Sequence, residues 1–248
     1  MVCTNGSNGV YVRVTITVHF GVKNPRNAPI ITPEKVYKDV YDRLDSTGSK
    51  ELMRYIGCPA AIDYYRNVFT VKSPLDYTIN FDPTQQKCVT SDKYDQQTFN
   101  NLLNIRDENV GFYSIRINLY FVPDKSVEIE AFHPLYGTGE LSQKALVVPG
   151  KYNAYKHIRP LEIPVASKQP GKIHIKEGDD LLHIRFNTRE KIIFKRFMVD
   201  QQIDELTDQQ FFTRNHTLKK RNLLHYYNMS KEIGYNKMLR KLIKQNEV

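Results

Sequence analysis

Apolar and polar positions alternate with period two over residues 11–20. The even positions of that segment are apolar throughout, namely Val12, Val14, Ile16, Val18 and Phe20. Successive side chains of a β-strand point to opposite faces of its sheet, so this alternation predicts a half-buried strand. Residues 113–121 alternate in the same way, and a turn sequence at 123–125 separates them from a further alternating run at 127–132. Turn-forming residues between two such runs predict a β-hairpin.

Short apolar runs separated by Pro, Gly and Asp continue along the chain to about residue 198. They predict further strands at 67–72, 77–81, 145–148, 161–165, 172–175, 181–187 and 192–197. Many short strands at close spacing are typical of a sandwich or a barrel-like core. The pattern therefore predicts a mainly β domain over residues 1–200.

Two helical insertions interrupt the strand pattern near residues 33–56. Thr32 and Pro33 supply an N-cap and a first-turn proline for a helix that runs to about Leu44. A second, shorter helix is expected over residues 49–56. Both helices fall within the β-rich domain.

After residue 200 the apolar period changes from two to between three and four. The residues that carry the new spacing are Ile203, Leu206, Phe211, Leu218, Leu223, Leu224, Tyr227, Ile233, Met238, Leu239 and Leu242. This spacing predicts amphipathic helices. We therefore expect a helical appendage over 201–248, with its boundary at 198–202, and we expect it to dock against the β-domain or a neighbouring subunit.

Charge is concentrated in the same C-terminal region. The chain has 248 residues and a formal net charge of +9; residues 211–248 contain nine Lys or Arg and two Glu, which is +7 of that total. Such an asymmetry is typical of a solvated helix face or of a docking segment for an acidic partner, protein or nucleic acid. No recognised nucleic-acid-binding motif accompanies the charge. The solvated face is the more frequent of these cases.

Composition excludes several classes of protein. With 40% hydrophobic and 25% charged residues, the chain is expected to fold. It has neither a run of about 18 apolar residues nor a basic N-terminal segment followed by an apolar run, so a membrane span and a secretory signal are not expected. Cys3, Cys58 and Cys88 are too few and too scattered for a disulfide framework or a thiolate metal cage, which is typical of a reducing cytoplasm.

Residues that could carry chemistry do not combine into a known catalytic set. None of the seven histidines belongs to a metal-binding motif, although His174 and His183 could face each other across a predicted hairpin. We interpret Gly178-Asp179-Asp180 as a hairpin turn with Gly178 at positive φ, and residues 137–139 as a loop without the spacing of a phosphate cradle. The sequence also lacks a G-x-S-x-G elbow. It therefore predicts no enzyme activity, no catalytic residue, no metal and no cofactor.

Five segments in chain order resemble an uncharacterised family found in tailed-phage genomes. They are residues 58–63, 69–76, 132–134, 148–153 and 175–186, within a region of roughly 55–197. The last two segments also resemble the β-clip core of dUTPases and dCTP deaminases. The resemblance implies a β-sandwich or β-clip-like core.

This chain departs from dUTPases where their chemistry resides. It has Asn153 where they present the catalytic aspartate, and Leu135-Tyr136-Gly137 where they present an Arg-Ser-Gly phosphate motif. Hydrolysis of a nucleoside triphosphate needs a base for water and carboxylates for magnesium, and an amide replaces neither. We expect that activity to be absent.

The basic C-terminal region and the lack of a catalytic set predict a structural or interaction protein. The resemblance to the tailed-phage family implies a virion component, such as a capsid, neck or tail accessory subunit, assembled in the host cytoplasm. Its expected partners are other protein subunits in an oligomeric assembly, with no membrane and with nucleic acid as an open second partner through the basic C-terminal segment. Two alternatives remain open, a phage-encoded nucleotide-binding protein on a degenerate dUTPase-like core and a basic nucleic-acid-associated factor. The predicted partner-binding residues are Lys219, Lys220, Arg221, Leu223, Tyr227, Met238, Arg240 and Lys241.

Overall fold

The computed structural model describes residues 15–22, 32–80, 89–90, 103–107, 111–135, 137–203, 205–207 and 234–248. In chain order the strands are β1 (Thr15–Val22), β2 (Glu34–Lys35), β3 (Val68–Lys72), β4 (Tyr77–Asn80), β5 (Val89–Thr90), β6 (Leu103–Asp107), β7 (Phe112–Pro123), β8 (Glu128–Phe132), β9 (Ala145–Val147), β10 (Gly150–Asn153), β11 (Pro160–Ser167), β12 (Lys172–Ile175), β13 (Asp180–Phe186) and β14 (Lys191–Arg196). The helices are α1 (Val36–Asp45), α2 (Lys50–Ile56), α3 (Pro59–Tyr64), α4 (Glu140–Lys144) and α5 (Tyr235–Gln245), and residues 201–203 and 205–207 are also helical. The protein is mainly β, as the alternation predicted.

The described strands form three sheets around one core. The largest sheet has the order β14-β1-β7-β11-β9, and β6 pairs with the first part of β7 on the edge where β1 pairs with its last part. The second sheet has the order β10-β8-β13-β3-β2, and the third β12-β4-β5. Apolar side chains from all three sheets meet in a single cluster. This arrangement is the β-sandwich-like core that the sequence predicted.

The first predicted strand is confirmed where the structure describes it. Ile16, Val18 and Phe20 are buried in the main core, as the even-numbered face was expected to be. Their strand lies inside the largest sheet, parallel to β14 and antiparallel to β7. Val12 and Val14, which belong to the same prediction, lie outside the described residues.

The predicted hairpin between residues 113–121 and 127–132 is wrong. Both strands exist, but β7 belongs to the first sheet and β8 to the second. The turn sequence after β7 therefore carries the chain from one sheet to the other. Both edges of β7 are already occupied, one by β11 and the other by β6 and β1, so no edge is left for β8.

The first helix begins later than predicted. It starts at Val36, and Lys35 precedes it without a capping hydrogen bond from its side chain. Glu34 and Lys35 instead form β2, which pairs with β3 at the edge of the second sheet. The second helix is confirmed, because Ser49 Oγ caps it by accepting a hydrogen bond from the backbone N–H of Leu52 at 3.4 Å.

Helices cover the outer faces of both large sheets. We call α1, α2 and α3 the helical cap; its buried residues Val36, Val40 and Ile56 pack with Val68 of β3. Across the molecule, α5 packs on Tyr120 and Val122 of β7, among other residues. Alternate residues of β3 and β7 face the main core, so the two helical layers lie on opposite sides of it. Docking of the C-terminal region is thus confirmed for α5, while the division at residue 200 stays a prediction.

Candidate interaction surfaces

The C-terminal helix α5 combines a buried apolar side with an exposed basic side. Leu239 and Ile243, four residues apart, are both buried. Lys237, Lys241 and Lys244 are exposed. Their spacings of four and three residues place these lysines on one side of the helix, away from Leu239 and Ile243. We call these three residues the lysine row.

Two polar side chains fix α5 to the loop between β10 and β11. The guanidinium carbon of Arg240 lies 3.8 Å from the centroid of the Tyr155 ring, and the same guanidinium donates to the Tyr155 carbonyl. Asn236 Nδ2 donates to the carbonyl oxygen of Lys156 at 2.6 Å. Burial lowers the pKa of the Arg240 guanidinium from its ordinary value. Cation–π contact and hydrogen bonding therefore hold the helix in register on the sheet.

The residues after α5 continue the attachment. The backbone N–H of Val248 donates to the Arg196 carbonyl at 2.9 Å, which lays the chain end beside β14. The Glu247 carboxylate contacts Lys195 and lies 3.3 Å from Nε2 of the buried His19. Chiefly through the hydrogen bond from Lys195, these contacts hold the pKa of Glu247 below its usual range.

The structure describes three of the eight predicted partner-binding residues, and they lie in different environments. Lys219, Lys220, Arg221, Leu223 and Tyr227 lie outside the described residues. Met238 and Lys241 are exposed on α5, where a partner can reach them. Arg240 instead faces Tyr155 of the same chain, so the structure gives it an anchoring role.

A second surface, which the sequence did not predict, lies on the helical cap. It exposes five large side chains, with exposed fractions of 41% for Tyr41, 41% for Leu52, 73% for Tyr55, 44% for Ile62 and 47% for Tyr64. Isolated exposed apolar residues are ordinary, whereas here each of the three cap helices exposes at least one, so we interpret the cap as a candidate interaction surface. The available sequence signal was the three-residue spacing of Leu52 and Tyr55.

The cap is fixed to the second sheet by a stacked arginine. The guanidinium carbon of Arg185 lies 4.6 Å from the centroid of the Tyr64 ring and 5.1 Å from that of the Phe132 ring. Arg185 Nη1 also donates to Glu130 Oε2 at 3.1 Å. On the inner side of the cap, the Tyr37 and Tyr65 rings pack with centroids 6.2 Å apart. These contacts attach the cap, with its exposed aromatic side chains, to the second sheet.

The turn at residues 178–180 and the loop at residues 137–139 lie next to each other. A Cβ placed on Gly139 would lie 2.8 Å from Asp179 Oδ2. That oxygen also accepts a hydrogen bond from the backbone N–H of Lys176 at 2.9 Å, while Asp180 Oδ1 accepts one from Thr70 Oγ1 at the same distance. Gly178 has φ of 87°, as a turn requires, but the turn joins β12 of the third sheet to β13 of the second, so the predicted hairpin is wrong. Both aspartates thus have structural hydrogen bonds.

The histidine pair that was considered for a metal does not form. His174 and His183 lie in different sheets, because β12 pairs with β4 whereas β13 lies between β3 and β8. His174 Nδ1 is 3.1 Å from the Thr78 hydroxyl, and His183 Nδ1 accepts from the Leu135 N–H at 3.4 Å. Within the described ranges, no group of three or more His, Cys, Asp or Glu side chains could hold a metal ion.

Asn153 stabilises the loop that receives α5. Its Nδ2 donates to Ser126 Oγ at 3.0 Å, and its Oδ1 accepts from the backbone N–H of Lys156 at 2.9 Å. Both ends of the amide are engaged within the chain. At the position where the dUTPases that this chain resembles have a catalytic aspartate, this chain has an asparagine that stabilises a loop.

The sequence matches no family model and shows no significant similarity to a curated protein. Among the described residues, no helix is long and apolar enough to cross a membrane.

Proposed function

We propose that the protein is a non-enzymatic structural or interaction protein, a subunit of a larger assembly. The observation that carries this proposal is the helical cap, which exposes five large apolar side chains while its inner side is anchored to the second sheet. Apolar side chains that a fold holds in water are stabilised when a partner covers them. The cap therefore has the properties of a contact surface between subunits.

In its specific form, the proposal is a tailed-phage virion component, such as a capsid, neck or tail accessory subunit, assembled in the host cytoplasm. It is supported by the five ordered segments that resemble a tailed-phage family. The helical cover of both large sheets agrees with it, because surfaces on opposite sides of one subunit allow contacts with more than one neighbour.

The contacts of the chemical groups favour a role without catalysis. Asp179, Asp180 and Asn153 each bind groups of their own chain. These hydrogen bonds account for the three polar side chains without a catalytic role. These residues stabilise turns around the core.

The proposal is tested by deleting the gene from the phage genome and examining the particles by negative-stain microscopy. We expect incomplete particles or particles without one feature, restored by the wild-type gene supplied in trans. A Leu146→Glu gene should also restore them, because Leu146 is an exposed apolar residue outside the cap. Normal, fully infectious particles from the deletion strain would contradict the proposal.

The lysine row favours a second candidate, a nucleic-acid-associated factor. Three exposed ammonium groups on one side of a rigid helix can contact backbone phosphates and release counterions. Replacing all three lysines by Gln should weaken binding to any duplex sequence and reduce the salt dependence by about one power of salt concentration per lost phosphate contact. Replacing Lys125, Lys151 and Lys172 by Gln removes the same charge elsewhere and serves as the control. Equal loss in both variants, or no binding by the wild type, would exclude this candidate.

A further inference from the structure

We infer that the helical cap is a self-association surface whose occupant is the cap of a second copy of this chain. The inference rests on the proposed function and names one partner for it. The cap helices bury few of their residues within the chain. Of the seven residues of α2 only Ile56 is buried, and α3 buries none of its six.

Helices this short depend on contacts beyond their own hydrogen bonds. An isolated helix of fewer than about 12 residues is marginal in water, so tertiary packing must supply its stability. The cap helices receive part of that packing from the second sheet through Ile56. Among the described residues, Tyr55 is the most exposed large hydrophobic side chain apart from Val248, so its outer surface receives little of that packing. A second molecule can supply it.

The residue types on the outer side suit a protein contact. Leu52 and Tyr55 are three residues apart and therefore neighbours on the surface of α2. Tyrosine provides a large rigid ring with a polar end, and aromatic residues are enriched at the centres of protein interfaces. A polyanion would instead require a concentration of cations at this surface.

Charge favours a second copy as the occupant. Residues 32–66, which contain the cap, have six acidic and six basic residues, so all of the +9 net charge lies elsewhere in the chain. A two-fold interface places the same surface against itself, and a surface of one sign would repel its own copy. The neutral, mixed-charge cap meets that condition.

The position of the cap strengthens this choice. The lysine row lies on α5, on the opposite side of the core from the cap. Pairing through the caps therefore keeps the two basic helices apart and leaves both lysine rows exposed. Pairing through α5 would bring like charges together.

The test is sedimentation velocity of the full chain over a concentration series, with thermal melting of every variant as a check of folding. We expect wild type to form a species of twice the 29.0 kDa chain mass. Leu52→Glu with Tyr55→Glu should raise the dimer dissociation constant by at least about 30-fold, the loss of one interface hot spot. Tyr55→Ser should weaken the dimer less. Leu146→Glu with Met198→Glu, at exposed positions outside the cap, should leave it unchanged.

Three results would overturn the inference: a wild type that stays monomeric at its highest soluble concentration, a dimer that survives in the folded Leu52/Tyr55 double variant, or a dimer that dissociates in about 1 M salt. The last would show that charges, which salt screens, hold the dimer together. If the chain is monomeric but is still required for intact particles, the inference fails and the proposed function stands.

Discussion

Gly21 lies on β1 directly against the ring of Phe197. A Cβ built at Gly21 would lie 2.6 Å from Phe197 Cζ, well inside van der Waals contact. The ring is itself buried, in the cluster that includes Leu239 and Ile243 of α5, so it has little room to move. A hydrogen atom as side chain is therefore what allows the C-terminal region to pack this closely on the first sheet.

Gly21→Ala should destabilise the protein by roughly 1–3 kcal/mol, the usual cost of overpacking a core. Chemical denaturation measures the loss. Gly150→Ala is the matched control, because a Cβ at Gly150 of β10 would meet nothing within 4 Å. Equal stability of the two variants would mean that the contact between Gly21 and Phe197 does not constrain the fold.

His133 makes stability depend on pH. Its Nε2 donates to the Ser142 carbonyl at 3.2 Å and its Nδ1 accepts from the Val147 N–H at the same distance, an arrangement that requires the neutral ring. Burial is the main cause that lowers the pKa of His133 below its ordinary value of 6.5. The unfolded chain therefore takes up the proton first as the pH falls. This part of the stability is complete above pH 6.5 and is lost as the pH falls through the pKa of the folded state.

His133→Gln replaces the ring by a side chain that can donate and accept but does not titrate. Between about pH 7.5 and pH 5, wild type should lose more unfolding free energy than the variant, as measured by urea denaturation at each pH. His157, whose pKa burial also lowers, is present in both proteins and does not affect the difference. Parallel pH profiles would contradict the assigned role of His133.

At the scale of elements, α5 is bound to the sheet by a few buried side chains. Leu239 is fully buried, whereas the preceding residue, Met238, is 47% exposed. Leu239→Ala should therefore cost about 2–5 kcal/mol, and Met238→Ala much less. Thermal melting of the two variants checks this. Similar melting temperatures would mean that the helix does not dock as described.

Element positions could be predicted from the sequence better than element partners. Alternation is local, so the strand around Ile16 and the strands β3, β11 and β13 follow from it. Strand pairing depends on which sheet edges are free, and the local pattern does not show this. For that reason the sequence predicts a hairpin of β7 and β8 that the fold does not contain. The exposure of Leu52 and Tyr55 escaped prediction because apolar spacing does not say which residue faces inward, and here the inward residue is Ile56.

At the scale of the whole molecule, Asp179, Asp180 and Asn153 make hydrogen bonds within the chain, and we predict no hydrolysis of nucleoside triphosphates. Asn153 binds Ser126 and Lys156, and an amide cannot act as the base that activates water. Phosphate release should equal the buffer blank for all deoxynucleoside triphosphates with magnesium. Release that is lost in Asn153→Ala, with unchanged melting, would show an active site at this position.

We propose that this protein works as a subunit of a larger assembly. Quantitative mass spectrometry of gradient-purified particles, washed in high salt to remove proteins bound by charge, tests it most directly. We predict that the chain remains in the particles at a fixed copy number relative to the other structural proteins. Its absence from washed particles, with the whole pool in the soluble fraction, would contradict the claim.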